Sequence, residues 1–195
     1  MKKGTLLEEL VYNVLLEMTA NEKLAFKSTQ CKVFLHKKYF SKDRDDFIET
    51  DVSIEVFIEN ANEPFFIWIW ECKDYKNAIS VDDLEEFHAK LEQIGADNTK
   101  GTMITAQGYF QTGAINYAKN KKIGLARILP DEQVEFIFCR MTPDMIERFM
   151  RKNNYLGALS QEYYNSVMQD TFILDKIQKY SSLQDYILNA INELK

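Results

Sequence analysis

The stretch FFIWIWECK, residues 65 to 73, indicates the fold and raises the question of function. Its aromatic residues and isoleucines favour a β-strand, and the unbroken apolar run before Glu71 indicates a strand buried on both faces. Such a strand belongs in the centre of a sheet. Glu71 and Lys73 follow at its end, and because strand side chains alternate, these two should project from one face.

The segment before this strand predicts a hairpin. Residues 60 to 64, NANEP, carry turn-forming residues, and a second strand is predicted from Phe47 to Glu59. If the turn is centred near Ala61, residues whose numbers sum to about 122 face each other across the hairpin. Asp51 then lies opposite Glu71. The sequence therefore predicts that an aspartate, a glutamate and a lysine converge at one end of a sheet.

Two interpretations of this convergence remain open from spacing alone. Neighbouring carboxylates repel each other unless a cation lies between them, and hard oxygen ligands suit Mg²⁺ or Mn²⁺. A nearby lysine can orient or deprotonate a water molecule while it counters charge on a phosphate. The alternative is a structural salt bridge from Lys73 to Asp51 or Glu71, because pairs of opposite charge are common across strands.

The segments around the hairpin predict a mixed sheet. Apolar residues at helical spacing indicate a helix from about 5 to 20, and Ser80 and Gly95 are placed to begin and end another. The other predicted elements before Pro130 are a strand over 32–40, a strand over 102–105, a helix over 112–122 and a strand over 123–129. An antiparallel hairpin followed by this crossover unit predicts an α/β fold with helices flanking the sheet.

The pattern changes after Pro130. A strand is predicted over 134–139, and helices are predicted near 142–153, 160–169 and 182–194. We therefore predict a domain over residues 1–130 and a mainly helical C-terminal extension over residues 131–195. The extension should pack on the core or mediate dimerisation.

Composition excludes several classes of protein. The chain has 195 residues, with 24 Lys and Arg against 30 Asp and Glu, and a net charge of −6 argues against coating nucleic acid by bulk electrostatics. Three scattered cysteines fit neither a disulfide framework nor a zinc cluster, which suits a reducing compartment. No apolar run approaches membrane-spanning length, and acidic residues interrupt the N-terminal apolar positions. These features predict a cytoplasmic protein with no membrane partner.

Four motifs together resemble the PD-(D/E)XK nuclease superfamily, and most closely its Mrr-like restriction endonuclease domains. They are GTLLE at 4–8, IETDVSI at 48–54, ECKDY at 71–75 and TAQGYFQTGA at 105–114. The resemblance covers roughly residues 4 to 129 and implies a restriction-endonuclease-like fold. It also implies that Asp51, Glu71 and the backbone carbonyl of Cys72 bind the metal and that Lys73 acts on the attacking water. Glu8 matches the accessory acidic residue of the family.

The resemblance implies a Mg²⁺-dependent or Mn²⁺-dependent DNA endonuclease that hydrolyses phosphodiester bonds, in a role such as defence against foreign DNA. Cutting two strands with one site per chain would favour a homodimer. Two alternatives stay open: a catalytically silent module that binds DNA or a protein, and a structure-specific repair nuclease. Three basic clusters and one polar loop are further candidates for phosphate contact, although each is more often a solvated surface or an ordinary turn. They are Lys37-Lys38-Lys42-Arg44, Lys119-Lys121-Lys122, Arg148-Arg151-Lys152 and the loop 107–112.

Overall fold

The computed structural model describes residues 6–74, 76–135, 144, 147 and 153–194. These residues form the predicted α/β fold, in which a mixed sheet of seven strands lies between two layers of helices. The strands of this sheet are β1 Cys31–Leu35, β4 Val52–Val56, β5 Phe66–Lys73, β7 Thr99–Thr105, β9 Gly124–Ile128, β12 Thr171–Asp175 and β13 Gln178–Tyr180. Their order across the sheet is β1-β4-β5-β7-β9-β12-β13.

Helices cover both faces of the sheet. Helices α1 and α5 pack on one face, and α2, α3 and α4 pack on the other. Their bounds are α1 Leu6–Ala20, α2 Val81–Gly95, α3 Thr112–Lys121, α4 Tyr155–Ser160 and α5 Leu183–Asn192, with short 3₁₀ helices at Ser28–Gln30 and Asp131–Gln133. Paired short strands complete the described elements: β2 Lys38–Ser41 with β3 Asp46–Glu49, β6 Ala78–Ile79 with β8 Tyr109–Phe110, and β10 Val134–Glu135 with β11 Ser166–Val167.

Strand β5 is the third of the seven strands, an interior position that agrees with its apolar run. Trp68 and Trp70 are fully buried and stack against each other in the core beneath α1 and α5. Ile67 and Ile69 enter the opposite core beneath α2. A strand that is buried on both faces explains why hydrophobic alternation is missing from this stretch.

The register of the hairpin is confirmed. Val52 pairs with Trp70, and Ile54 pairs with Trp68, so partner numbers sum to 122. Asp51 and Glu71 lie one position beyond these pairs. Strand β5 then pairs in parallel with β7, and β7 pairs in parallel with β9, which brings their C-terminal ends to the same sheet edge.

The prediction of one continuous strand over 47–59 was wrong. The segment breaks at Thr50 and Asp51 into β3, which pairs with β2, and β4, which pairs with β1 and β5. The predicted strand 32–40 is likewise divided between β1 and β2. Residues 38–49 leave the sheet as a two-stranded ribbon formed by β2 and β3. The alternation of apolar and polar residues continues through the break, so it does not reveal where the ribbon begins or ends.

The C-terminal extension contains sheet strands as well as helices. The helix predicted near 182–194 is confirmed as α5, whereas the helix predicted over 160–169 was wrong. There, the buried Arg127 guanidinium binds the carbonyls of Ala158 and Glu162, at 2.7 and 3.0 Å, and α4 ends at Ser160.

The prediction of a mainly helical extension missed β12 and β13. Strand β12 pairs with β9, so the extension adds strands to the main sheet. Its five residues are all buried, and so short an apolar run carries no periodicity that could identify it. The strand predicted over 134–139 is described only for Val134–Glu135. The helix predicted near 142–153 lies almost entirely outside the described residues.

Candidate active site

Asp51 is fixed where the ribbon leaves the sheet. Its carbonyl accepts a 2.9 Å hydrogen bond from the backbone amide of His36, and the Thr50 amide donates to the Lys37 carbonyl at the same distance. The Asp51 carboxylate accepts a 2.7 Å bond from the backbone amide of Cys72. The side chain is therefore held at the C-terminal end of β5, beside Glu71.

Two lysines contact the carboxylate of Glu71. Nζ of Lys73 lies 3.3 Å from Glu71 Oε1, and Nζ of Lys90, on α2, lies 3.0 Å from the same oxygen. The contact between Lys73 and Glu71 confirms that these residues project from one face of β5. This contact is also the salt bridge that the alternative interpretation predicts, although here it joins two residues of the same strand.

Glu8 adds a third carboxylate to this end of the sheet. The residue is buried on α1, and its Oε2 lies 3.4 Å from Nε2 of His36. Helix α1 packs against β4 and β5, and the negative charge of Glu8 contributes to the raised pKa of Asp51. Glu8, Asp51 and Glu71 come from three separate segments: α1, the break between β3 and β4, and β5.

Crowding of the carboxylates changes the acidity of Asp51. Burial, followed by the negative charge of Glu71, raises the pKa of Asp51 from 3.8 to about 6. The charge of Glu8 raises the pKa further, whereas the Cys72 amide and Lys90 oppose the rise. The ionised form of Asp51 is thus less favourable in the folded protein than in water, and a nearby cation would reduce that cost.

A protein-family model described as Mrr_cat, restriction endonuclease, matches residues 24–128. This range is more than half of the chain. The chain belongs to the Mrr_cat restriction endonuclease family. The matched range contains Asp51, Glu71, Lys73 and Lys90, whereas Glu8 lies before it.

Other comparisons add little to this assignment. No curated protein matches the chain. A crystal structure titled as a protein of unknown function, AF1548, is 13% identical with a TM-score of 0.41, and the match covers 73% of this chain and 77% of that one. No described helix of this Mrr_cat protein is long and apolar enough to cross a membrane.

The carboxylates of the Mrr_cat chain suit a hard divalent ion. Across the described residues, no group of three or more His, Cys, Asp or Glu side chains is arranged to hold a metal. Mg²⁺ usually takes only one or two carboxylates and keeps several waters, so Asp51, Glu71 and one backbone carbonyl are a sufficient donor set. The raised pKa of Asp51 is consistent with such a set, because a cation would relieve the repulsion.

Cys72 is a candidate metal ligand through its backbone carbonyl, and not through its thiol. Burial, together with the nearby carboxylates, raises the pKa of the Cys72 thiol well above its usual range. Hard divalent ions such as Mg²⁺ prefer oxygen donors, so this thiol is a poor ligand for one. The carbonyl that the resemblance assigns to the metal remains a prediction.

Two loops at this end of the sheet are joined to each other. The loop after β5 and the loop after β7 are joined by the β6–β8 pair and by a 3.0 Å hydrogen bond from Gln107 to Asp74. Asp83, in the first turn of α2, lies 3.9 Å from Nζ of Lys73. Gln107 thus joins two loops through its side chain, although phosphate contact by loop 107–112 stays untested.

The described contacts of Lys37, Arg44 and Lys121, from two of the predicted basic clusters, are with residues other than the carboxylates of this site. Lys37 is bound to the buried Glu55, and Arg44 donates a 2.8 Å hydrogen bond to Gln93. Lys121 lies over the ring of Tyr117, on α3. The third cluster, Arg148-Arg151-Lys152, lies outside the described residues.

Sequence reasoning missed Lys90 and His36. Lys90 follows the buried Phe87 by three positions and precedes the buried Leu91, so it flanks the apolar stripe of α2 and reaches the sheet edge. That spacing was the available signal. His36 carried no comparable signal, because its contact with Glu8 depends on where the ribbon leaves the sheet.

Proposed function

We propose that this protein is a divalent-metal-dependent endonuclease that hydrolyses phosphodiester bonds in DNA. The observation that carries the proposal is the placement of Asp51 beside Glu71 at the end of β5, where burial and carboxylate repulsion raise the pKa of Asp51 to about 6. Membership of the restriction endonuclease family supports the reaction class. Mg²⁺ is the proposed ion, with Mn²⁺ as a substitute.

Asp51, Glu71 and the carbonyl of Cys72 would hold the ion. When bound, the ion would supply Lewis-acid chemistry to the scissile phosphate. The protein contributes the geometry: the Cys72 amide fixes one Asp51 oxygen at 2.7 Å, and β5 fixes Glu71. This arrangement leaves the carboxylates little freedom to reorganise, which favours a preformed site.

Lys73 is the proposed residue that acts on the water nucleophile. Its ammonium is positioned between Glu71, at 3.3 Å, and Asp83, at 3.9 Å. From there it can hold a water molecule and offset the charge that develops on the phosphate. Glu8 is the proposed accessory acid, and its contact with His36 would hold the carboxylate in place.

A catalytically silent DNA-binding module is the second candidate. The specific observation that favours it is that Glu71 is already paired with two lysines, Lys73 and Lys90. A carboxylate neutralised in this way could be purely structural. Metal binding separates the two candidates, because the silent module has no reason to bind a divalent ion through Asp51.

The wider role is inferred from the family. We infer a cytoplasmic enzyme that acts on DNA, with defence against foreign DNA as its setting and repair of branched DNA as the alternative. A homodimer would supply two sites for two strands.

A cleavage assay tests the proposed function. The full chain should convert supercoiled DNA to nicked or linear forms when Mg²⁺ or Mn²⁺ is present, and EDTA should stop the reaction. Linear and branched duplexes assayed in parallel distinguish a restriction-type enzyme from a repair nuclease. If none of the three DNA forms is cut with either ion, the proposed activity is refuted.

A further inference from the structure

Lys90 is a second lysine at the carboxylate of Glu71, outside the motif that contains Lys73. Its Nζ is 3.0 Å from Glu71 Oε1, and Nζ of Lys73 is 3.3 Å from the same atom. The two lysines come from different elements, α2 and β5. The site holds the carboxylates of Glu8, Asp51 and Glu71, and Lys90 also lowers the pKa of Asp51, so this second lysine supplies positive charge that a bound cation could supply instead.

Lys90 lies at the edge of the site, between a buried carboxylate and an exposed one. The Glu71 side chain is only 9% exposed, whereas Lys90 is 21% exposed and lies at the rim. Glu86, one turn earlier on α2, lies 3.9 Å from Lys90 Nζ and is 70% exposed. The ammonium can therefore turn from a buried carboxylate towards solvent without losing its helix position, since a lysine side chain is a flexible four-carbon stem.

We propose that Lys90 is a resident counter-ion of Glu71, that a divalent ion displaces it, and that a DNA phosphate then receives the displaced ammonium. This inference rests on the proposed function of the carboxylate pair as a metal site. Metal and DNA then bind cooperatively, because each of them favours the position in which the Lys90 ammonium has left Glu71.

The cooperativity follows from charge. A divalent ion on Glu71 repels the Lys90 ammonium, so metal binding without DNA must include the cost of breaking the 3.0 Å pair. A phosphate near the rim offers the ammonium a new partner and removes that cost. By linkage, DNA then tightens metal binding by the factor by which the metal tightens DNA binding.

Calorimetric titration with Ca²⁺ tests this proposal. Ca²⁺ takes the same oxygen ligands as Mg²⁺, and a gel run on the samples checks that the DNA stays intact. The wild type and Lys90→Met are titrated with and without a short duplex, with duplex alone as the blank. Lys90→Gln is a second variant, Lys90→Arg retains the charge, and Lys23→Met, an exposed lysine outside the predicted phosphate-contact clusters, controls for the loss of one positive charge.

Lys90→Met and Lys90→Gln should bind Ca²⁺ about 5-fold to 20-fold more tightly than the wild type in the absence of DNA, the lower range of typical coupling. DNA should tighten Ca²⁺ binding of the wild type by a similar factor, but should tighten that of these variants by less than about 3-fold. Lys90→Arg and Lys23→Met should behave like the wild type.

The inference about Lys90 and the proposed function fail in different ways. If the wild type binds Ca²⁺ but Lys90→Met and Lys90→Gln bind it equally or more weakly without DNA, the counter-ion role is refuted and the metal site stands. An equal effect of DNA on wild type and variants would refute the transfer to phosphate. If neither wild type nor variants bind Ca²⁺ in any titration, the metal site, and with it both proposals, is wrong.

Discussion

Asp51→Asn is expected to lower the rate of DNA cleavage on the order of 10³-fold, because the amide keeps the shape of the side chain but removes the charge that binds the metal. The side-chain oxygen of this variant can still accept a hydrogen bond from the Cys72 amide, so the backbone geometry is preserved. Divalent-ion binding should weaken in parallel. The measurements are initial cleavage rates in Mg²⁺ and calorimetric titration of the same ion.

The same substitution should stabilise the metal-free protein. The folded pKa of Asp51, about 6, lies above its ordinary value of 3.8, so protonation favours the folded state and the stability it gives is lost as pH rises through about 6. At pH 7.5, Asp51→Asn should therefore be more stable by on the order of 1–2 kcal/mol, discounted for partial exposure. Near pH 4 the difference should largely disappear.

Chemical denaturation of both proteins at the two pH values, in EDTA, tests this prediction of stability. A variant that loses both cleavage and stability at pH 7.5 would indicate that Asp51 supports the fold. Unchanged cleavage by a well-folded Asp51→Asn variant would show that Asp51 is not a catalytic residue.

Lys73→Ala should lower DNA cleavage by about 10² to 10⁴-fold, the usual loss for one acid–base group. The carboxylates of Asp51 and Glu71 remain in this variant, and Lys90 still neutralises Glu71 in the metal-free state. Folding and divalent-ion binding should therefore survive. Cleavage rates, thermal unfolding and metal titration of the same preparation separate these properties.

Lys76→Ala is the matched control for Lys73→Ala, because Lys76 is an exposed lysine three residues along the same segment. It should cut DNA at the wild-type rate. If the Lys73→Ala protein cuts at the parental rate but unfolds at a lower temperature, Lys73 is not catalytic. Its contact with Glu71 is then a structural salt bridge.

The site could be predicted from sequence where local rules determine geometry. The turn at residues 60–64 and the alternation of strands were enough to place Asp51 opposite Glu71, and the observed pair of Val52 with Trp70 has the predicted register. Ser80 and Gly95 likewise bound α2 as expected, and the Ser80 side chain accepts a hydrogen bond from the Asp83 amide. These features depend on contacts between residues close in sequence.

Features that depend on distant contacts were not predicted. Strand β12 is short and fully buried, and its identity comes from pairing with β9, which precedes it by more than 40 residues in the chain. The position of Lys90 depends on how α2 packs on the sheet, and that of His36 depends on the break at Thr50. In each case the partner is fixed by tertiary packing, which sequence periodicity does not report.

An anomalous difference map from crystals soaked in Mn²⁺ tests the central claim, a shared site of Asp51 and Glu71, most directly. A peak is expected about 2 Å from an oxygen of each carboxylate, with Lys90 turned away from Glu71. The same soak of the Asp51→Asn variant should show a much weaker peak. Carboxylates that point away from a common ion, or Mn²⁺ bound only elsewhere on the chain, would contradict the shared site.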